Sequence, residues 1–292
     1  MKEGPISNIH EIKPDTLFVK YEDWHPTGND LWKRLEVPGD PRNGTYTSEE
    51  FDKKEQWNTD STYLVSHRQR LEHWKETLGV TFAVEHYLNK NVLSSPFPRI
   101  LEIGSWPMYN PIVERCHENT IIALLSQNKN TKVVGLDTVD PHPLYTPHFG
   151  ESTYICGDFH DDKTKEKIKK TLGGNPNVIV GNMVFENDLY KFINAETIRK
   201  ERDIMRKSTF LPIQVLTGYV PKLPDEDKYK IAENLSVAAN SFLELNGILV
   251  ICNGNSDTDK NIPEFVHKMP LLAVYLDETN KYAAVQIRGK LV

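Results

Sequence analysis

Two textures of hydrophobic patterning divide the chain at about residue 92. Before it, apolar residues are scattered among polar stretches. Runs such as Pro38-Gly39-Asp40-Pro41-Arg42-Asn43-Gly44 read as turns and loops. One stripe stands out: Leu64, Leu71, Trp74, Leu78 and Phe82 recur at helical spacings and predict a helix over Asp60–Asn89, with Gly79 weakening its middle. From Pro98 onward, short apolar runs alternate with helical patterns. The runs Arg99–Ile103, Lys132–Asp137, Thr153–Cys156, Asn177–Val180 and Gly247–Cys252 predict strands. Helices are predicted over Pro111–Gln127, Asp162–Leu172 and Asp225–Leu245, the last ended by Asn246-Gly247 as a left-handed cap. Alternation of this kind implies a parallel sheet covered on both faces. Leu271–Leu276 and Tyr282–Ile287 are too close for a crossover helix. They predict a terminal hairpin, with one strand antiparallel to its neighbour.

Composition narrows the class. A chain of 292 residues with 38% hydrophobic and 10% aromatic content supports a sizeable core. No apolar run reaches the roughly 20 residues that span a bilayer. Met1 to His10 lacks the pattern of a secretory signal, and the three cysteines are well separated, so a cytoplasmic setting is expected. A net charge of −6 disfavours a general polyanion binder and makes nucleic acid an unfavoured partner. Four of the five tryptophans, Trp24, Trp32, Trp57 and Trp74, lie before residue 92. So much aromatic area has to pack on something, either the ligand edge of the sheet as a cap or its far side as a structural extension.

The chemistry gathers where strands end. Glu102 and Gly104 close the first strand, and Ser105, Trp106 and Tyr109 follow. In open α/β sheets the carboxyl edge of the strands is where ligands bind. Asp137 ends the second strand, where a carboxylate is placed to accept from a ribose diol. Cys156-Gly157-Asp158-Phe159 ends the third, an acid and a ring suited to an adenine amine and face. Asn182 and Glu186 follow the fourth. Each has a bland reading too: a loop salt bridge for Glu102, ordinary strand-end turns for Asp137 and Asp158, and core packing for Trp106 and Tyr109.

In order and kind these residues resemble the class I S-adenosylmethionine-dependent methyltransferases. The shared features are an acid-x-Gly first loop, an acid ending strand two, Gly-Asp-Phe after strand three, Asn-Gly before strand five and a terminal hairpin. The resemblance covers roughly residues 92 to 292. It implies a Rossmann-like three-layer sandwich, mostly parallel with a C-terminal antiparallel hairpin, preceded by a largely helical and loop extension. Residues 93–292 would then be the cofactor-binding methyltransferase domain, and 1–92 a cap that contacts substrate. The resemblance implies S-adenosylmethionine as cofactor, with Glu102, Gly104, Ser105 and Trp106 at its methionine end. Asp137 would hold the ribose, Asp158 and Phe159 the adenine, and Asn182 would stand beside the transferable methyl. Tyr109 and Glu186 join Asn182 as candidate catalytic residues, and Trp106 and Tyr109 would surround the sulfonium if they are not core. The chain departs from the family pattern where Trp106 and Met108 replace further glycines. Asp137 also lies further from Gly104 than is usual, which calls for a longer first helix.

The acceptor is read from softer signals. The segment from about Glu186 to Pro224 is longer than a crossover needs and holds Tyr190, Phe192, Phe210 and Tyr219. Aromatic lids suit a small-molecule acceptor, with a peptide or protein second. A binding or regulatory protein that keeps the fold without catalysis is the reading from another class. An NAD-dependent oxidoreductase is disfavoured because G-x-G-x-x-G is absent. His142, His148 and His160, with Asp161 and Asp162, match no metal-ligand spacing, and no metal is expected.

Overall fold

The computed structural model describes residues 15–24, 80–89, 98–105, 108–110, 115–117, 120–128, 130–138, 152–182, 225–252, 262–277, 279–281 and 283–292. Their centre is an eight-stranded sheet. In chain order the strands and helices are β1 (Leu17–Val19), α1 (Tyr21–Trp24), α2 (residues 80–89), β2 (Arg99–Ile103), β3 (Met108–Asn110) and β4 (Arg115–His117). Then come α3 (Thr120–Leu125), β5 (Lys132–Asp137), β6 (Ser152–Cys156), α4 (Asp162–Leu172), β7 (Val178–Asn182) and α5 (Asp225–Phe242). The chain closes with β8 (Ile248–Cys252), α6 (Glu264–Lys268), β9 (Leu271–Leu276) and β10 (Ala283–Gly289).

The sheet order is β6-β5-β2-β7-β8-β10-β9-β1. Every neighbouring pair is parallel except those made by β10, which lies antiparallel between β8 and β9. This is the doubly wound, Rossmann-like arrangement with one antiparallel strand from the terminal hairpin. The strand order reverses between β2 and β7, so their carboxyl ends border the crevice where such sheets hold ligands.

Strand alternation sorts the core into two faces. Leu101, Ile103, Val134, Leu136, Ile155, Ile179, Leu249 and Ile251 meet α4, α5 and α6 through Ile168, Leu172, Leu235, Phe242 and Val266. The other face carries Ile100, Val133, Val178, Val180, Val250, Tyr275 and Ile287 under α2, α3 and Trp24. On α2 the buried apolar residues are Val80, Ala83, Val84 and Tyr87, and Thr81 is buried beside them. Helix α4 is delimited by its own chemistry. Asp161 caps its N-terminus by accepting from the Lys163 and Thr164 amides, and Gly173 ends it at φ 77°. Asn246, with φ 64°, is the left-handed residue between α5 and β8.

Several expectations change. Within the helix predicted over Pro111–Gln127, Arg115–His117 is instead β4, paired antiparallel with β3, and only Thr120–Leu125 is helical among the described residues. The proline after Asn110 disfavours helical backbone at Asn110, the last residue of β3. The long connection to Asp137 therefore holds that pair and α3 among its described residues. Strand β7 begins at Val178, one residue later than expected, and Asn177 Oδ1 accepts from the Arg99 amide at 2.8 Å. Of the helix expected over Asp60–Asn89, residues 80–89 are helical and the rest lies outside the described residues.

The first 92 residues contribute directly to the sheet. β1 pairs with β9, Trp24 donates from Nε1 to Leu276 O at 2.8 Å, and Thr16 donates to Leu271 O at 3.1 Å. The Trp24 ring meets Tyr275 edge to face at 5.6 Å, and Tyr275 Oη lies 3.1 Å from His86 Nδ1. Among the described residues no helix is long and apolar enough to cross a membrane.

Two stability measurements follow from this packing. Trp24→Ala should cost about 3–5 kcal/mol in urea denaturation, as large-to-small changes in a core do. A change under about 1 kcal/mol would place Trp24 outside the core. Burial, with Tyr87 beside it, pushes the Tyr275 hydroxyl well above the ordinary tyrosine range, and burial raises Tyr87 too. A folded state that holds its proton while the unfolded chain releases it near pH ~10 is fully stabilised below that pH and loses stability above it. Urea titrations from about pH 8 to about pH 11 should show this fall, with Tyr275→Phe flattening it.

Candidate functional site

The registers bring the strand tips into line. Ile103 pairs with Leu136 on one side and Gly181 on the other, so Gly104, Asp137 and Asn182 stand level at the carboxyl edge of β2, β5 and β7. Asp137 is level with Cys156, and Asn182 with Cys252. Adjacent parallel strands lie about 4.8 Å apart, so these tips together span the width of a small ligand.

The loop after β2 is fixed by main-chain bonds. Gly104 adopts φ 76°, the left-handed region in which a side chain is strained. Its amide and that of Ser105 both donate to Leu136 O, at 2.9 and 3.0 Å. The loop therefore folds over the tip of β5 with exposed Gly104 outermost and Ser105 buried beneath it. Glu102 is only 1% exposed, although its row neighbours are Gly135 on β5 and Val180 on β7. A carboxylate in such a place is costly unless it has polar company.

Asp137 is half-buried, with Thr138 Oγ1 at 3.5 Å from its Oδ1. Its main-chain oxygen accepts from the Gly157 amide at 2.9 Å and ties the β6 loop to the β5 tip. In that loop Asp158 is exposed, and its Oδ1 accepts from the His160 amide at 2.8 Å. This is the local turn that aspartate favours, and it leaves the side chain at the surface beside the edge.

Phe159 departs from its expected role. It is 4% exposed, meets Phe242 edge to face at 5.7 Å and belongs to the core under α4 and α5. The aromatic after Gly-Asp therefore packs in the core, with Lys165 Nζ over the ring, 5.8 Å from its centroid. For the remaining candidates, the backbones of Asn182 and Tyr109 are placed on β7 and β3, and Trp106 and Glu186 lie outside the described residues. His142 and His148 do too, while His160 is exposed in the β6 loop. Among the described residues no three His, Cys, Asp or Glu side chains cluster as a metal site would.

Sequence reasoning gave no role to Gly135 and used Gly157 only as part of the Gly-Asp-Phe run. Both lie next to side chains that leave no room for a Cβ: Ser105 Oγ would be 2.5 Å from one at 135, and Thr164 Oγ1 2.5 Å from one at 157. For Gly135, a glycine inside a strand that also holds Val133 and Val134 is the signal that marks such a close approach.

No protein-family model matches the chain, and no curated protein does. Solved structures with partial similarity are named as methyltransferases. One is a Listeria monocytogenes protein named as a class I S-adenosylmethionine-dependent methyltransferase, 14% identical, covering 94% of this chain and 82% of that one, with a TM-score of 0.38. Another is MycE of the mycinamycin biosynthetic pathway, in complex with Mg, SAH and mycinamycin VI. It is 13% identical over 74% of this chain, with a TM-score of 0.35. The match spans 47% of MycE, about half its length. The third is a Plasmodium falciparum protein named for ribosomal RNA methyl transfer, 13% identical, covering 73% of this chain and 96% of that one, with a TM-score of 0.35. The fold description rests on the strand order and registers.

Phe159→Ala should cost about 3–5 kcal/mol in urea denaturation, as loss of a buried ring does. Loss of ligand affinity with unchanged stability would return the ring to the binding site.

Proposed function

We propose that this chain binds S-adenosylmethionine at the carboxyl edge of β2, β5 and β7 and transfers its methyl group to a small-molecule acceptor. The observation that carries the reading is the buried Glu102 on the strand beside the half-buried Asp137, under a glycine turn, where the strand order reverses. The residues present fit the cofactor at two of its three parts. Asp137 offers a carboxylate to a ribose diol, and Gly104 has no side chain to stand between the loop backbone and a ligand. Glu102 and Ser105 lie behind that loop, toward the methionine end. At the adenine end Asp158 offers a carboxylate, but Phe159 is committed to the core, so the ring face must be covered by other residues.

When bound, the cofactor supplies a methyl group activated by its sulfonium. The protein's part is to hold cofactor and acceptor in line, and such alignment supplies most of the acceleration of a transfer of this kind. Asp137 orients the cofactor by accepting from the ribose hydroxyls. Glu102, buried behind the loop, would set a carboxyl group at the methionine end with little water around it. Asn182 ends the strand next to β2 and stands for positioning beside the methyl, with Tyr109 and Glu186 as further candidates for orienting or deprotonating the acceptor.

Acceptor choice is assigned to the N-terminal region and to residues 186–224. In support, Trp24 is bonded to Leu276, the last residue of β9, and β9 runs in the direction of β8. The chain therefore leaves Trp24 from the carboxyl edge of the sheet. The −6 charge and the aromatics of residues 186–224 favour a small organic acceptor over nucleic acid.

Calorimetry with S-adenosylmethionine on wild type and Asp137→Ala tests the cofactor assignment. Losing hydrogen bonds to a charged group costs about 1.5–3 kcal/mol, roughly 10- to 150-fold in affinity. Failure of the wild type to bind, or equal binding by both proteins, would overturn it.

A further inference from the structure

Gly135 lies in the middle of β5, opposite Glu102 of β2 and Tyr154 of β6. Its backbone is not among the positive-φ glycines, so conformational freedom is not the reason for a glycine here. Space is the reason. A Cβ at 135 would stand 2.5 Å from Ser105 Oγ, 3.0 Å from Ser105 Cβ and 3.4 Å from Ile122 Cδ1. The missing side chain is a notch in the sheet surface, and the Ser105 side chain is seated in it from the loop, 2% exposed.

That seat sits beside the bonds that fix the loop. The Gly104 and Ser105 amides both donate to the carbonyl of Leu136, the residue after Gly135. A methyl group at 135 would drive the Ser105 hydroxyl to another rotamer. It would also press on Ser105 Cβ, which has no rotamer in which to escape. The pressure then passes to the Ser105 backbone and to the two bonds on Leu136 O. We propose that Gly135 is a positioning residue for the ligand-binding loop: without touching the ligand, it sets how low Ser105 sits and so where the Gly104 turn stands. This rests on the cofactor assignment above for its consequence, though not for its geometry.

The test uses Gly135→Ala in two backgrounds, the wild type and Ser105→Gly, and two measurements. Amide hydrogen exchange without ligand reads the seat directly. Gly135→Ala should speed exchange at Gly104 and Ser105 by about tenfold while the β7 and β8 amides stay protected, which general destabilisation would not do. Calorimetry with S-adenosylhomocysteine should show affinity weakened by about tenfold, because small displacements of positioning groups are costly. With Ser105→Gly the notch has no occupant, and adding Gly135→Ala should change either reading by less than about two-fold. Unchanged exchange in Gly135→Ala, or the same loss in both backgrounds, would overturn the proposal, the second by tracing the effect to Ile122 or the strand itself. If Gly135→Ala does not fold, recovery of folding in the double variant supports the seat and continued failure overturns it. A wild type that binds no S-adenosylhomocysteine removes the cofactor assignment, while the exchange measurement still decides the role of Gly135.

Discussion

One main-chain oxygen, that of Leu136, organises the carboxyl edge. It accepts from both Gly104 and Ser105, so the loop after β2 is folded down on the tip of β5. The next carbonyl, that of Asp137, accepts from Gly157 and draws the β6 loop to the same tip. Three strand ends are thus chained by backbone bonds that no side chain makes. Such bonds tolerate most substitutions, and their sequence demands appear only where a side chain would block them. Those positions are glycines: Gly104 because its φ is positive, Gly135 and Gly157 because Ser105 and Thr164 already fill the space. Asp137 lies between the two accepting carbonyls and their loops, which holds its carboxylate at a fixed height on the edge.

The half of the sheet away from that edge loop has a different problem, which is cover. A parallel sheet needs both faces buried. Residues from 99 onward supply α4, α5 and α6 to one face, but the other depends on α2 and Trp24 from the first 92 residues as well as on α3. Tyr275 shows the consequence. It is fully buried only because Trp24 and His86 close over it, and the Trp24 indole satisfies the last carbonyl of β9. The hairpin is pinned from the opposite side by Arg288, which donates to Gln286, Val266 O and Met269 O and so joins β10 to the end of α6. Part of the N-terminal region is accordingly structural.

The sheet was legible because its strands are buried on both faces and therefore read as continuous apolar runs. Arg99–Ile103 and Lys132–Asp137 need no partner to be recognised, and the short gap between Leu276 and Ala283 allows only a hairpin. The same logic fails for short or edge elements. β1 has three residues, with Phe18 partly exposed, and takes its stability from β9, which lies about 250 positions later in the chain. The β3–β4 pair defeats periodicity because strands of three residues each are too short to show a period. Site residues divide similarly. Asp137 and Gly104 are legible because a strand tip dictates their place. Phe159 is not, because whether a ring after a tight turn faces inward depends on α5, a helix built from residues some seventy positions on.

The side chains of the sheet carry their own record of where a ligand belongs. On the face shared by α2 and α3, the registers define a row running Gly135, Glu102, Val180, Val250, Ile287, Ala273 and Leu17 across seven strands. From Val180 to Leu17 the row is wholly apolar, as packing alone would have it. Only at its β5–β2 end does polarity enter, with the Glu102 carboxylate and, in the notch at Gly135, the Ser105 hydroxyl. A well-packed apolar residue of Glu102's size would serve stability at least as well as a buried acid. Its presence at that one position therefore argues for a demand other than packing. The strand order, a property of the backbone alone, reverses beside that same strand. Two independent features, the path of the chain and the polarity of one row, thus coincide at the carboxyl end of β2, and both support the proposed site there.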